Sequence, residues 1–297
     1  MQISDVLTIS LRQFWKHKPL WLLGAMAALS AGLVLSFTLL IEIPSLQATI
    51  AEIVGNDTWL SEALSDLLPL IISLGSIPLY VLGAIGVTLG VLSTDKEPTT
   101  LVSLVDILRR SFPFFWRVLG VRLMFVFGLL AIFLPVLCLI SIASIATFGL
   151  GLLCLFPLII ILIPVSYVVY SLMELTETAV VVENLSISEA FSKTWGLFRA
   201  NFWTAMAMSL LIYLGVGLVA GVFALPFLLP SYLTELLRLP DSAITILFAL
   251  SCLAVPFHVL IQGSMLTLQK MLWIQTYLAL ARPAIPLTET VEVFDVG

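Results

Sequence analysis

The residues of this chain that could do chemistry sit inside or beside long apolar runs, where polar chemistry is costly. His258 and Gln262 are one helical turn apart just after Pro256, so on a helix they face the same way. With Ser166, Tyr167 and Tyr170 from another apolar run they form a candidate intramembrane polar site, since an imidazole, an amide and phenols supply both donors and acceptors. The competing reading is polar glue between helices: His258 has no carboxylate near it in sequence, so a proton relay lacks its second member. Glu174 and Glu177 stand at i, i+3, the spacing that puts two carboxylates on one helix face for acid–base work. At a span end such a pair is ordinarily solvated, and Arg122 is placed to snorkel to that interface and pair with Glu174. Two histidines, with no CxxC or HExxH spacing, predict neither a metal nor a cofactor. Cys138, Cys154 and Cys252 read as packing thiols, and no catalytic residue is assigned.

The remaining chemistry is charge at a membrane surface. Arg12, Trp15, Lys16 and Lys18 precede the first apolar run, Arg109, Arg110 and Arg117 the third, and Lys193, Trp195 and Arg199 the fifth. Such cations either engage phosphates of anionic phospholipids, at about 1 kcal/mol each, or anchor topology, since membrane proteins in general place Trp, Lys and Arg at span ends.

The elements that position these residues follow from hydropathy. The chain has 297 residues, 61% of them hydrophobic and 10% charged, with a mean hydropathy of +1.16; soluble domains carry roughly 25% charged residues. This composition predicts an all-α integral membrane protein, and it excludes a nucleic-acid partner. Six runs reach the roughly 20 residues a span needs, over residues 19–41, 67–93, 117–145, 148–175, 202–229 and 242–268 of one membrane domain, with a polar tail over 283–297. Twelve of the 13 Lys and Arg residues fall on one side of these spans, all but Arg238, while the first outer loop, 42–66, holds five acidic residues and no cation. Cytoplasmic retention of cations predicts that both termini are cytoplasmic. The first run is too long for a signal peptide and lacks a cleavage site.

Amphipathic spacing recurs before spans one, three and five, predicting interfacial helices over about 3–16, 101–113 and 187–199. Their apolar stripes are Ile3, Val6, Leu7, Leu11 and Phe14; Leu101, Leu104, Val105, Leu108 and Phe112; and Ile187, Ala190, Phe191 and Phe198. Aligning Leu11, Leu108 and Phe191 brings Trp15, Phe112 and Trp195 together, which implies an internal repeat of three units, each an interfacial helix followed by a two-span hairpin. Ser186 and Glu189 are spaced as a capping box. Gly24, Ala28 and Gly32, Gly86 and Gly90, and Gly217 and Gly221 have the small-xxx-small spacing of packing seams. Pro78, Pro135, Pro157, Pro164, Pro226 and Pro256 predict kinks or unwound turns. The loop 45–67 reads as a further amphipathic helix on the outer surface.

The stretch AVVVENLSISEAFSKTWGLFRANFWTAMAMSLL, Ala179 to Leu211, together with FWKHKPLWLLG, resembles segments of poorly characterised bacterial membrane proteins. It is similar to the membrane domain found beside glycerophosphodiester phosphodiesterases and to that domain's stand-alone six-span relatives. The resemblance implies a six-helix bundle in a bacterial plasma membrane and carries no activity, because the phosphodiesterase chemistry belongs to a separate barrel for which this chain has no matching residues. The expectation is therefore a non-enzymatic membrane protein: a scaffold, envelope-associated factor or accessory subunit with lipid-facing interfacial helices and unknown protein partners. The alternative is a transporter or permease for a small or amphipathic substrate, with its site near His258 and Gln262.

Overall fold

The computed structural model describes residues 3–41, 58–96, 103–147, 155–226 and 240–281, and all regular structure among them is helical. The helices are α1 (Ile3–Lys16), α2 (Leu20–Ile41), α3 (Thr58–Lys96), α4 (Leu104–Ala146), α5 (Leu155–Val182), α6 (Ile187–Ala200), α7 (Phe202–Leu211) and α8 (Asp241–Ala281). Beyond Leu211 the chain of α7 passes through a π-helical turn, Ile212–Val216, and stays helical to Pro226. Among the described residues, five helices are long and apolar enough to cross a membrane, within α3, α4, α5, the α7 arm and α8, and α2 adds a shorter apolar stretch, Leu20–Leu29.

Several boundaries differ from those the hydropathy predicts. The second interfacial segment and the third span are one continuous helix, α4, and α5 and α8 run on to Val182 and Ala281. A drop in hydropathy marks a change of side chain, not of backbone: Glu174, Glu177 and Lys270, at or just beyond the ends of the apolar runs, lie inside continuous helices. α3 starts at Thr58 and so takes in the end of the predicted outer-surface helix; the rest of that loop, and the tail over 283–297, lie outside the described residues. The helices continue through Pro135, Pro164 and Pro256, and the irregular turn in the α7 arm contains no proline.

Three helix starts are built alike. The first turns of α1, α4 and α6 carry Asp5, Asp106 and Glu189, each favourable at the positive end of a helix dipole. One turn-spaced face is then buried: Val6, Ser10 and Phe14 in α1, Ile107 and Ser111 in α4 with half-buried Phe115 next in line, and Ala190, Thr194 and Phe198 in α6. Ser111 and Thr194 return their hydroxyl protons to the carbonyls of Ile107 (2.9 Å) and Ala190 (2.8 Å). A small hydroxyl at the contact lets helices approach closely. The buried hydroxyls Ser10, Ser111 and Thr194 thus hold like places on the three helix starts; the alignment on Leu11, Leu108 and Phe191 pairs the second and third in the same way and sets the first one turn differently. Leu11, Val105 and Phe112, assigned to the apolar stripe, are exposed. In lipid an apolar side chain is equally at home outside the bundle, so hydrophobicity alone does not identify the inner face.

The core gathers at the end of the bundle where these helix starts meet the last turns of α3, α5 and α8. Val81, Ile85, Val121, Leu175, Met208, Trp273 and Tyr277 pack there in one cluster, and Phe14, Leu23, Val87, Ile107 and Met271 in a second. α2 and α8 make the closest approach: a Cβ on Gly24 would lie 2.0 Å from the Gly263 carbonyl oxygen, and one on Gly263 would lie 2.3 Å from Ala25 Cα. Thr267 crosses the same seam, donating to the Leu20 carbonyl at 3.3 Å. Gly32 and Gly90 also face side chains that leave no room for a Cβ. Gly217 and Gly221 meet no described atom within 4 Å, so the seam predicted in the fifth span does not form among the described residues.

Candidate functional site

The most unusual chemistry lies inside the bundle. Lys270 on α8 places Nζ 2.6 Å from Glu174 Oε2 and 2.9 Å from Glu177 Oε2, both on α5. Arg122 on α4 reaches the same carboxylates: its Nε is 2.7 Å from Glu177 Oε1, its Nη2 donates to Glu177 Oε2 at 3.0 Å, and Nη2 stands 4.0 Å from Glu174 Oε1. Tyr80 on α3 completes the group, with its hydroxyl accepting from Arg122 Nη2 at 3.1 Å and its ring under the guanidinium at 4.1 Å. The side chains of Glu174, Glu177 and Lys270 are almost wholly buried. Two cations and two carboxylates cancel, which is what makes charges tolerable at membrane depth.

The group lies inside the helices and not at their ends. Glu177 is five residues before the end of α5 and Lys270 eleven before the end of α8, or about 7 and 16 Å along the axes at 1.5 Å per residue. The pairing of Arg122 with Glu174 expected from the sequence is present as the longest contact of a four-residue network. Lys270 is the member that no local pattern in the sequence points to.

Next to this network, between α4, α5 and the α7 arm, is a cavity of about 400 Å³ whose lining includes Phe125, Leu129, Ile163, Tyr167, Tyr170 and Tyr213. The three phenol rings pack edge to face, Tyr213 against Tyr167 at 5.2 Å and against Tyr170 at 4.5 Å. The Tyr170 hydroxyl accepts from Gln269, immediately before Lys270. Ser166, Tyr167 and Tyr170 line this cavity, whereas His258 and Gln262, grouped with them in the sequence reading, do not. Gln262 donates to the Ala220 carbonyl of the α7 arm at 3.3 Å, and His258 is buried in α8. Tyr213, which sequence reasoning missed, lies in the π turn, an irregularity that no residue pattern announces.

At the end of the bundle, the basic and aromatic residues divide in two groups. Arg12, Lys16, Lys18, Arg109, Arg110 and Arg199 are exposed, as are Trp15 (63%), Trp195 (42%) and Trp116 (75%). In the register of the buried hydroxyls Trp116 is equivalent to Trp15, while Trp195 is equivalent to Phe112 and Arg199 takes the place of the first two tryptophans. Arg117 instead bridges α4 to the turn after α5, where Nη1 donates to Asn184 Oδ1 at 2.8 Å and to its carbonyl at 3.2 Å. Asn184 has φ 56, a left-handed conformation that Asn tolerates after a helix. Lys193 is held by Glu183, which also accepts from Tyr277 at 2.7 Å. Burial would raise the Glu183 carboxyl, but the bonds from Lys193 and Tyr277 and the charge of Lys193 outweigh it and hold the group below its ordinary value. Ser186 and Glu189 form the predicted capping box, and hydrogen bonds from the Ser186 hydroxyl and backbone N–H hold Glu189 below its ordinary value too.

The FWKHKPLW turn has its own lock. Trp21 stacks on Phe14 at 4.8 Å and donates its indole N–H to the Phe14 carbonyl at 3.2 Å, fixing α1 against the start of α2. Among the described residues, no group of three or more His, Cys, Asp or Glu side chains is arranged to hold a metal ion.

The family pattern DUF7847, a domain of unknown function, matches residues 1–282. The chain belongs to that family. No curated protein and no solved structure matches it. For a DUF7847 chain, function has to be argued from the charge network, the cavity and the basic end of the bundle.

Proposed function

We propose that this protein is a non-enzymatic integral membrane protein, a scaffold or accessory subunit, whose three helix starts engage anionic lipid headgroups on the cytoplasmic side of a bacterial plasma membrane. The observation that carries this reading is the exposure of Trp15, Trp116 and Trp195 with Arg12, Lys16, Arg109, Arg110 and Arg199 over three helices that share one buried hydroxyl register. Rigid helices present the cations as a set, and a set of cations near an anionic surface gains about 1 kcal/mol from each.

In this reading α2 is the first of six spans, both termini are cytoplasmic, and three units arose by repetition, each supported by the charge asymmetry and by the matching acids, hydroxyls and aromatics of the helix starts. It also fits the stand-alone six-span bundle, without a catalytic barrel, that the sequence resembles. Chemistry on a substrate has little support: Glu174 and Glu177, the acid–base candidates, are each held by Lys270 and Arg122. Transport of an amphipathic substrate has one observation in its favour, the charge network beside the tyrosine cavity, but that network is internally neutral and gives a coupling ion no vacant counter-charge.

The test is native mass spectrometry of the full chain extracted from mixed phosphatidylglycerol and phosphatidylcholine vesicles. The native chain retains phosphatidylglycerol preferentially, and Gln at Arg12, Lys16, Arg109, Arg110 and Arg199 weakens that preference by up to about fivefold per cation. An unchanged lipid ratio in the neutralised chain overturns the proposal.

A further inference from the structure

We propose that the cavity between α4, α5 and the α7 arm is a binding site for one acyl chain of a bilayer amphiphile, whose uncharged hydrogen-bonding linkage, an ester or a hydroxyl, meets the phenols of Tyr167 and Tyr213. At about 400 Å³ the cavity is of the size that holds small organic ligands, in a range of roughly 300–1,000 Å³. No Asp, Glu, Lys, Arg or His lines it, so the part of the occupant that it contacts is uncharged. It follows α5 from Met173 to Ile163, ten residues or about 15 Å of helix axis, a shape suited to an extended chain rather than a compact ring.

The direction of entry identifies the source of the occupant. Val126 and Ile163, both among the lining residues, are 54% and 51% exposed, so the mouth opens sideways between span helices, where the surrounding medium is lipid. The other end is closed by Tyr170, tied to Gln269, and behind it by the charge network. Polar groups in the wall are few. The Ser166 hydroxyl donates to the Ile163 carbonyl at 2.7 Å, leaving the phenols as the donors for a ligand. Tyr213 is presented by the π turn, an irregularity found at functional sites more often than elsewhere. The site stands apart from the headgroup reading, since none of the exposed cations lines it.

The experiment uses the full chain in phosphatidylcholine vesicles doped with a phosphatidylcholine that carries a diazirine in its acyl chain; after photolysis, adducts are mapped to peptides. The expected result is labelling of 125–129 and 163–173 well above that of the exposed outer face of α4, Ile132 to Ile142. Leu129→Trp and Ser166→Phe, two independent ways to fill the cavity, each bring cavity labelling down to the level of that outer face without changing the latter. Tyr167→Phe with Tyr213→Phe lowers cavity labelling by the ester-linked probe about fivefold and leaves labelling by a diazirine alkane unchanged. Cavity labelling no higher than the outer face, or labelling that both filled variants retain, overturns the proposal. So do cross-links at 125–129 that join two chains, which assign the cavity to a second copy.

Discussion

Replacing Lys270 by Met keeps the length of the side chain and removes one positive charge from between two buried carboxylates. Each of its contacts, 2.6 Å to Glu174 and 2.9 Å to Glu177, carries about 6 kcal/mol of Coulomb attraction at an effective dielectric constant of about 20. Much of that is offset, because Lys270 no longer has to be desolvated, and the net cost of orphaning a buried partner is about 3–5 kcal/mol. Adding Glu174→Gln restores the balance, since Arg122 remains 2.7 Å from Glu177; the double variant is expected to be at least about 2 kcal/mol more stable than the sum of the two single losses. The assay is reversible unfolding of the full chain in mixed micelles titrated with sodium dodecyl sulfate. A loss below about 1 kcal/mol for Lys270→Met, or strict additivity in the double variant, refutes a closed charge network.

Other expectations test separate parts of the structure. Gly263→Ala forces a Cβ to within 2.3 Å of Ala25 backbone and is expected to cost about 3 kcal/mol in the same assay. Gly217→Ala, with no described neighbour, is expected to be neutral or to gain about 0.5–1 kcal/mol from helix propensity. Ser186→Ala removes the capping box and is expected to cost about 1 kcal/mol, seen as faster amide exchange in the first turn of α6. Glu183 has a depressed carboxyl in the fold, so its contribution is present above its ordinary value of 4.5 and is lost as pH falls through the lower folded value. Melting temperatures of the native chain and of Glu183→Gln are therefore expected to differ by a constant amount at pH 6–7 and to converge in acid below pH 4.5.

The membrane class and the approximate places of the helices were legible in the sequence because composition and run length report them directly. The charge network was not, and for a definite reason. A hydropathy window ends a span at its first charges, and nothing local to Glu174 or Lys270 reveals a partner 96 positions away along the chain. The helix starts were half legible: acids, aromatics and cations recur visibly, but the register depends on Ser10, Ser111 and Thr194, three small hydroxyls that a search for apolar stripes passes over. Tyr167 and Tyr170 were recognised as a pair, whereas Tyr213 depended on a π turn in the facing helix. His258 and Gln262 share a helix face as their spacing required, yet the cavity formed elsewhere, because polar spacing fixes a direction and not what lies in that direction.

A bundle closed around a charge-neutral network and meeting anionic lipid at its three helix starts can be seen in a cryo-electron microscopy map of the full chain in phosphatidylglycerol nanodiscs. The expected map has Lys270 seated between Glu174 and Glu177 with Arg122 and Tyr80 beside them, and ordered phosphate density next to Arg12 and Lys16, Arg109 and Arg110, and Arg199. A water-filled cavity that separates Lys270 from the carboxylates, with no lipid density at those cations, would contradict it.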